Sequence, residues 1–349
     1  MFSHLNWRNC LLSVALSGVY ADVFDPVTKH QIRYCLDLLS RGDCKNIFLV
    51  LLPGGGPFPS SFTPYEDRWR MLSAAGACDK RLVPVSLPER LNGSGLEDIL
   101  QYLTELYPKE DFCPVESGFR PETGPLFPGR VCPAVEEYCN LLGLYGQHSA
   151  FPEARNWNSL LFNALNPHRY AHSLAVAWTA KHLAALYGID EHLAEEAGLL
   201  HDCAKCLPLT EMQKIAAEHR VTNDPLFLES GALLHSLVGA EVAREKYGIK
   251  DSDILEAIAY HNTGFPGMSS LAMCVCLADF IEPNRDPFPG LEETRAMAEH
   301  SLEKALLMSL EATIRHVCSK GKKLHPRTMN TAAWLKTLPA VKKNKKHKD

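Results

Sequence analysis

The stretch AGLLHDCAK, residues 197–205, places an adjacent His201–Asp202 pair at the end of a segment with helical spacing, Glu191 to His201. Outward from it, strand signals almost vanish. Ala171–Tyr187, Thr210–Glu218, Ala232–Tyr247, Ser252–His261, Ser269–Ile281 and Leu291–Cys318 all carry helical spacing or composition. Gly188, Gly248 and Gly264 stand where helices should stop. No internal repeat is visible, and this half of the chain reads as all-α. Histidine is concentrated here: twelve of the fifteen follow residue 150. His172, the His201–Asp202 pair, His235, His261 and Asp279 fall within or at the ends of separate helices. A bundle can gather such positions at its core, where facing helices build metal sites.

Helical phase supports the gathering. His172 shares its face with Val176, Thr179 and Leu183, and Asp279 shares one with Ala272, Val275 and Cys276. Both faces are mostly apolar, so both side chains point inward. A buried carboxylate is costly unless a cation or donor neutralises it. Imidazole and carboxylate together suit iron, manganese or zinc far better than calcium. Four neutral imidazoles and two carboxylates around two divalent ions would keep a net charge of about +2 facing a phosphate chain. A hydroxide could then attack phosphorus in line with the leaving group. Any one of these histidines taken singly is more often a hydrogen-bonded core residue; the ordered set is what points to a site. His168 is read as preceding the helix proper and, with His182 and His192, is assigned to solvent or capping roles.

The order His, His-Asp, His, His, Asp is that of the HD phosphohydrolase superfamily. The strings HRYAHSLAVAWTA (168–180), AGLLHDCAK (197–205), HSLVGAEVAREKYGI (235–249), AIAYHNTGFPGMS (257–269) and LADFIEPNRD (277–286) narrow it further. Together they resemble the bacterial YqeK family, the symmetrical bis(5'-nucleosyl)-tetraphosphatases, over nearly all of 156–338. The resemblance implies cleavage of diadenosine tetraphosphate into two ADP molecules at a divalent metal centre, iron first, with manganese or zinc as alternatives. Carried onto this chain, His172, His201, Asp202 and Asp279 form the core metal set. His235 and His261 complete a second metal position or bind phosphate. Asp202 and Lys205 are the catalytic candidates, and Lys205, Arg169 and Arg285 are candidates to neutralise phosphate oxygens, for which guanidinium forks are well suited. Alarmone hydrolases carry an acidic pair shortly after the His-Asp, and Cys203 to Leu207 contains none. The GYP string of the cyclic-dinucleotide phosphodiesterases is also missing.

The first 146 residues read as α/β. Val14–Gly18 and Ile47–Leu52 have the form of buried strands and flank a helical segment, His30–Leu39, the start of a parallel sheet. A Pro/Gly-rich stretch fills 116–133, a short helix follows at Val135–Leu142, and Gln147–Arg155 looks like a linker. FDPVTKHQI (24–32), YEDRWRML (65–72) and VCPAVEEYCNLLGLYG (131–146) resemble nicotinate mononucleotide adenylyltransferase, a Rossmann-like nucleotidyltransferase fold. That family holds ATP phosphates with two histidines at a helix start, where this chain has Thr28 and Gln31. The run Gly54-Gly55-Gly56 is not a P-loop, because no lysine follows in register. The expected layout is therefore a degenerate adenylyltransferase-like domain (1–146), a linker (147–155), an HD phosphohydrolase domain (156–338) and a basic tail (339–349). Retained adenylyl transfer and a non-catalytic nucleotide-binding module are the alternatives for the first domain.

Composition agrees. At 349 residues two domains are the default, and 46% hydrophobic with 22% charged residues describes a soluble globular chain. The apolar run Leu11–Leu16 is too short to span a bilayer, so a cytoplasmic location without membrane contact is expected. A net charge of −5 gives no general attraction to nucleic acid. The block Lys342, Lys343, Lys345, Lys346 and Lys348 reads as a solvated end. Twelve scattered cysteines are expected as reduced thiols, and the Cys203/Cys206 and Cys274/Cys276 pairs as small helical side chains rather than a zinc or redox site. A homodimer is left open.

Overall fold

The computed structural model of the chain describes residues 16–22, 24, 27–52, 63–91, 94–115, 131–144 and 153–338. The glycine run at 54–56, residues 116–130 of the Pro/Gly-rich stretch, residues 147–152 and the basic tail lie outside the described residues. The chain divides into two compact units between Val131 and Cys132.

The first unit alternates strand and helix: β1 Ser17–Asp22, α1 Lys29–Arg41, β2 Asn46–Leu51, α2 Tyr65–Gly76, β3 Leu82–Ser86, α3 Leu96–Leu106 and β4 Phe112–Pro114. All pairings are parallel, in the order β3-β2-β1-β4. The order reverses beside β1, as in a Rossmann-like sheet, which agrees with the expected fold class. Val19, Phe48, Val50, Val85, Leu87, Ile99 and Leu103 form a core cluster. The first strand lies later than the apolar run suggested, at Ser17–Asp22 instead of Val14–Gly18. Its polar residues are tolerated because they find partners: the buried Ser17 hydroxyl donates to Glu110 Oε2. Helix α1 starts on Thr28, whose Oγ1 accepts from Gln31 N at 3.3 Å while Gln31 Oε1 accepts from Thr28 N at 2.7 Å. This reciprocal capping box satisfies donors at the helix start.

The second unit is helical: α4 Pro133–Leu142, α5 Ala154–Ala164, α6 Pro167–Tyr187, α7 Glu191–Leu200, α8 Leu209–Glu218, α9 Pro225–Leu228, α10 Gly231–Lys246, α11 Ser252–Tyr260, α12 Ser270–Ile281, α13 Leu291–Ala298, α14 Leu302–Ser319 and α15 Pro326–Leu335. Caps set several starts. Asn166, Asp190, Asp251 and Ser269 each accept a backbone N–H of the first turn of α6, α7, α11 and α12. Helix α6 stops at Gly188 with φ +71°, a left-handed value that glycine adopts without strain.

Three boundaries differ from expectation. Helix α4, expected to close the first domain, belongs to the second unit, because its buried Val135, Tyr138 and Leu142 face pack it on α6. Helix α5 begins at Ala154, inside the expected linker. The span Leu291–Cys318 is two helices, since Ser301 caps a new start with its Oγ on Lys304 N. His168 stands in the first turn of α6, not before it, and is exposed.

Helices α6 and α7 cross at close range. A Cβ at Gly198 would lie 3.0 Å from the Cα of Ala177. Ala177, Ala180 and Ala184 on α6 are fully buried, so two small-residue faces bring the backbones close. Among the described residues no helix is long and apolar enough to cross a membrane.

Candidate metal centre

Five helices deliver the expected residues to one place. His172 comes from the second turn of α6, and His201 and Asp202 from the turn that ends α7. His235 lies in the second turn of α10, His261 just past α11, and Asp279 in the last turn of α12. The four histidines and Asp202 are at most 3% exposed, while the Asp279 side chain is 24% exposed. At Asp279 the otherwise buried ligand cluster is open to solvent.

Asp202 is the hub. Its Oδ2 lies 3.7 Å from His201 Nε2 and 4.0 Å from His172 Nε2. Its Oδ1 lies 3.0 Å from His235 Nε2 and 3.5 Å from His261 Nε2. Asp279 Oδ1 joins the first group, 3.0 Å from His172 Nε2 and 4.0 Å from His201 Nε2. The ligand atoms of His172, His201 and Asp202, of Asp202, His235 and His261, and of His201, His261 and Asp279 each fall within 4.8 Å of one another.

Outer contacts aim the imidazoles. His201 Nδ1 lies 2.7 Å from Gly198 O, His235 Nδ1 3.1 Å from Gly231 O, and His261 Nδ1 2.8 Å from Ile258 O. His172 Nδ1 lies 3.1 Å from Glu282 Oε1. Each outer oxygen is an acceptor, so each Nδ1 carries the proton and each Nε2 is turned inward as a cation ligand. Inside, Nε2 atoms approach one another, 3.3 Å between His172 and His201 and 3.2 Å between His235 and His261. Facing lone pairs repel, and a cation shared between them removes the repulsion. Asp202 Oδ1 is buried without a directed hydrogen bond, the state a bound cation would resolve. The donor set therefore fits divalent metal.

Protonation follows the same logic. Burial pushes the His201 pKa down to about 3 and that of His235 down to about 4, so both are neutral at pH 7 and free to ligate. For Asp202 burial works upward, but His201, His235, His261 and Lys205 outweigh it and hold the carboxyl well below its usual range. Asp279 is likewise held low against its burial, mainly by Arg285 and His172. Burial lowers the His172 pKa, yet the Asp279 and Glu282 carboxylates on either side of the ring leave it raised.

The cations named in the sequence all reach the centre. Arg169 Nη1 donates to Asp202 Oδ2 at 3.2 Å. Lys205 Nζ sits 3.0 Å from His235 Nε2 and 3.4 Å from Asp202 Oδ1. Arg285 Nε donates to the Asp279 carbonyl at 2.9 Å, and its Nη2 holds the Asp279 carboxylate. His182 and His192 stand apart and exposed, His182 Nδ1 lying 2.7 Å from Trp178 O. Cys203, Cys274 and Cys276 are buried free thiols, and Cys206 is exposed. Sequence reasoning missed Glu282, 2% exposed and one helical turn beyond Asp279 in the LADFIEPNRD string.

In the first unit, the positions where the resembled adenylyltransferases hold phosphate are committed elsewhere. Thr28 and Gln31 bond to each other across the helix start. Buried Arg68 of α2 donates to the carbonyls of Thr63 and Leu52.

Comparison with known proteins agrees with this geometry. A family model described as HD domain matches residues 169–284. The chain is 43% identical over 167 residues to the symmetrical bis(5'-nucleosyl)-tetraphosphatase of Halalkalibacterium halodurans, covering 48% of this chain and 88% of that protein. A crystal structure from Clostridium acetobutylicum, titled a predicted HD superfamily hydrolase involved in NAD metabolism, is 40% identical with a TM-score of 0.51. It covers 52% of this chain and 96% of its own. A Mycoplasma genitalium protein named probable nicotinate-nucleotide adenylyltransferase/Ap4A hydrolase is 37% identical over 149 residues, 41% of each chain.

Proposed function

Because the chain belongs to the family of symmetrical bis(5'-nucleosyl)-tetraphosphatases, we propose that its helical unit hydrolyses diadenosine tetraphosphate and related dinucleoside polyphosphates, cutting at the centre to release two ADP. The observation that carries the reading is Asp202, whose two oxygens face two separate imidazole groups, Oδ2 toward His172 and His201 and Oδ1 toward His235 and His261. Divalent ions bound there supply positive charge to the phosphate chain and an acidified water for attack on phosphorus. Iron comes first among candidate metals, with manganese and zinc as alternatives, because imidazole and carboxylate serve all three.

The chain's own residues do the positioning. His172, His201, Asp202 and Asp279 would hold one ion, and His235 and His261 would complete a second position beside Asp202. Lys205, placed 3.4 Å from Asp202 Oδ1, has its ammonium at the inner edge of the site to meet a phosphate oxygen. Arg169 and Arg285 keep the ligand carboxylates oriented and turn their remaining N–H groups to the substrate. The alternative for His235 and His261 is direct contact with phosphate.

Purified protein with ferrous or manganous ion is expected to convert diadenosine tetraphosphate to ADP alone, read by chromatography of the products. ATP plus AMP would overturn the symmetrical assignment, and no turnover with any of the three metals would overturn the reading.

The first unit is a degenerate adenylyltransferase-like module without transfer activity, for which the Thr28–Gln31 capping box is the supporting observation. Formation of a dinucleotide from nicotinate mononucleotide and ATP would refute this and restore a bifunctional enzyme. A cytoplasmic location, with no nucleic-acid partner, is part of the same reading, and homodimerisation is open to sedimentation.

A further inference from the structure

The open side of the metal centre leads into a pocket of about 650 Å³. His261 and Asp279 of the candidate metal centre are among its lining residues, and α12, α14 and the turn 285–289 form its walls. Its volume lies in the range of small-molecule sites.

The lining has three parts with distinct chemistry. The first is the pair of ligands. The second is aromatic: Phe280 and Phe288 meet edge to face with centroids 5.2 Å apart. Phe288 is 37% exposed, one of few large apolar side chains left so open among the described residues. The third is a set of polar donors. Arg315 and His316 on α14 line the pocket, and neither side chain has an ion-pair partner among the described residues. Arg285, by contrast, is already engaged with Asp279. An exposed aromatic face and an uncommitted guanidinium beside a metal centre match a flat base joined to phosphate.

Resting on the proposed hydrolysis, we infer that this pocket is the subsite for one nucleoside 5'-diphosphate half of the substrate, with Phe288 under the base and Arg315 on its phosphates. The reacting phosphorus must meet the metal ligands, and two of these, His261 and Asp279, line the pocket. His316, the neighbour of Arg315, adds a second donor on the same helix.

Calorimetry on the full chain with manganous ion tests the assignment, using ADP and inorganic tripolyphosphate as separate probes. Phe288→Leu keeps apolar filling but removes the flat face. It is expected to weaken ADP about tenfold and to leave tripolyphosphate affinity as in wild type. Arg315→Ala is expected to weaken both probes, and Arg315→Lys to recover part of the loss. In turnover of diadenosine tetraphosphate, the effect of Phe288→Leu should fall on KM more than on kcat. Equal ADP affinity in wild type, Phe288→Leu and Arg315→Ala overturns the subsite while leaving the hydrolytic reading intact. Equal weakening of ADP and tripolyphosphate by Phe288→Leu overturns the base platform. Wild-type protein that binds ADP through Phe288 and Arg315 yet leaves the dinucleotide uncut retains the subsite and refutes the hydrolysis.

Discussion

Gly198→Ala tests whether the helix crossing beneath the metal centre is as close as the coordinates require. In an open helix interior this exchange stabilises by about 1 kcal/mol, because alanine restricts the unfolded chain. Here the new Cβ would stand 3.0 Å from the Cα of Ala177, 3.2 Å from its N and 3.2 Å from the Cβ of Ala180. Carbon contacts are comfortable at about 3.5–4.0 Å, so α7 must withdraw from α6 by roughly 0.5 Å. Two of the three atoms are backbone and cannot rotate away. Overpacking of this kind costs about 1–3 kcal/mol, which exceeds the helical gain and leaves a net loss of about 1 kcal/mol. For a unit of this size that is a fall in Tm of about 2–4 °C. Gly239→Ala is the internal control. Its Cβ would meet Ile258 Cγ2 at 3.4 Å and His201 O at 3.6 Å, ordinary contact, so it should be neutral or stabilising. The displacement also matters chemically. His172 and His201 ride on the two helices, their Nε2 atoms 3.3 Å apart, and metal–ligand distances tolerate only about 0.2 Å. Gly198→Ala should therefore lose metal affinity about tenfold, of the order seen when outer supports are disturbed. Thermal denaturation of both variants, with elemental analysis, decides it. A Gly198→Ala protein that gains stability as Gly239→Ala does, with full metal content, would refute the reasoning.

Other consequences are equally open to measurement. Asp202→Ala should abolish turnover while leaving the helical circular dichroism in place, and unchanged turnover would exclude the hub role. Glu282→Ala should weaken metal binding about 10–100-fold by freeing the His172 ring, whereas Glu282→Gln, whose carbonyl still accepts from Nδ1, should recover much of it. Equal losses in both would show that the carboxylate acts by charge and not by orientation. Glu137 on α4 is fully buried with both oxygens unpartnered, facing Glu195, which holds Lys181 at 2.8 Å. Burial first, then Glu195, raises its pKa well above 4.5. The folded state thus binds this proton more tightly than the unfolded one. Its stabilisation is complete below about pH 4.5 and is lost as pH rises through the native value. Glu196, raised by burial to about 7, titrates in the same window, so the difference between variants carries the test. Wild-type Tm should fall from pH 5 to 8 more steeply than that of Glu137→Gln, and parallel profiles would sink the idea.

The sequence alone was enough to define the helical half and to name the imidazoles and carboxylates that the fold brings together. Helical period is a local property, so the inward phase of His172 and Asp279 could be read from Val176, Thr179, Leu183, Ala272 and Val275 alone. Metal ligands also leave a trace in residue type, because few side chains can replace an imidazole or a carboxylate. What stayed hidden depends on groups far apart in the chain or on groups without a side-chain signature. The Nδ1 acceptors of His201, His235 and His261 are main-chain carbonyls, which any residue could supply. Glu282 resembles a surface acid until α12 and α6 bring it 3.1 Å from His172, 110 positions away. The boundary at Val131, the shift of the first strand to Ser17–Asp22 and the burial of Glu137 beside Glu195 were settled by packing between elements. The pocket exists only because α11, α12 and α14 leave a gap beside the metal ligands. Local patterning fixes which face a residue presents, and only tertiary contact fixes what that face meets.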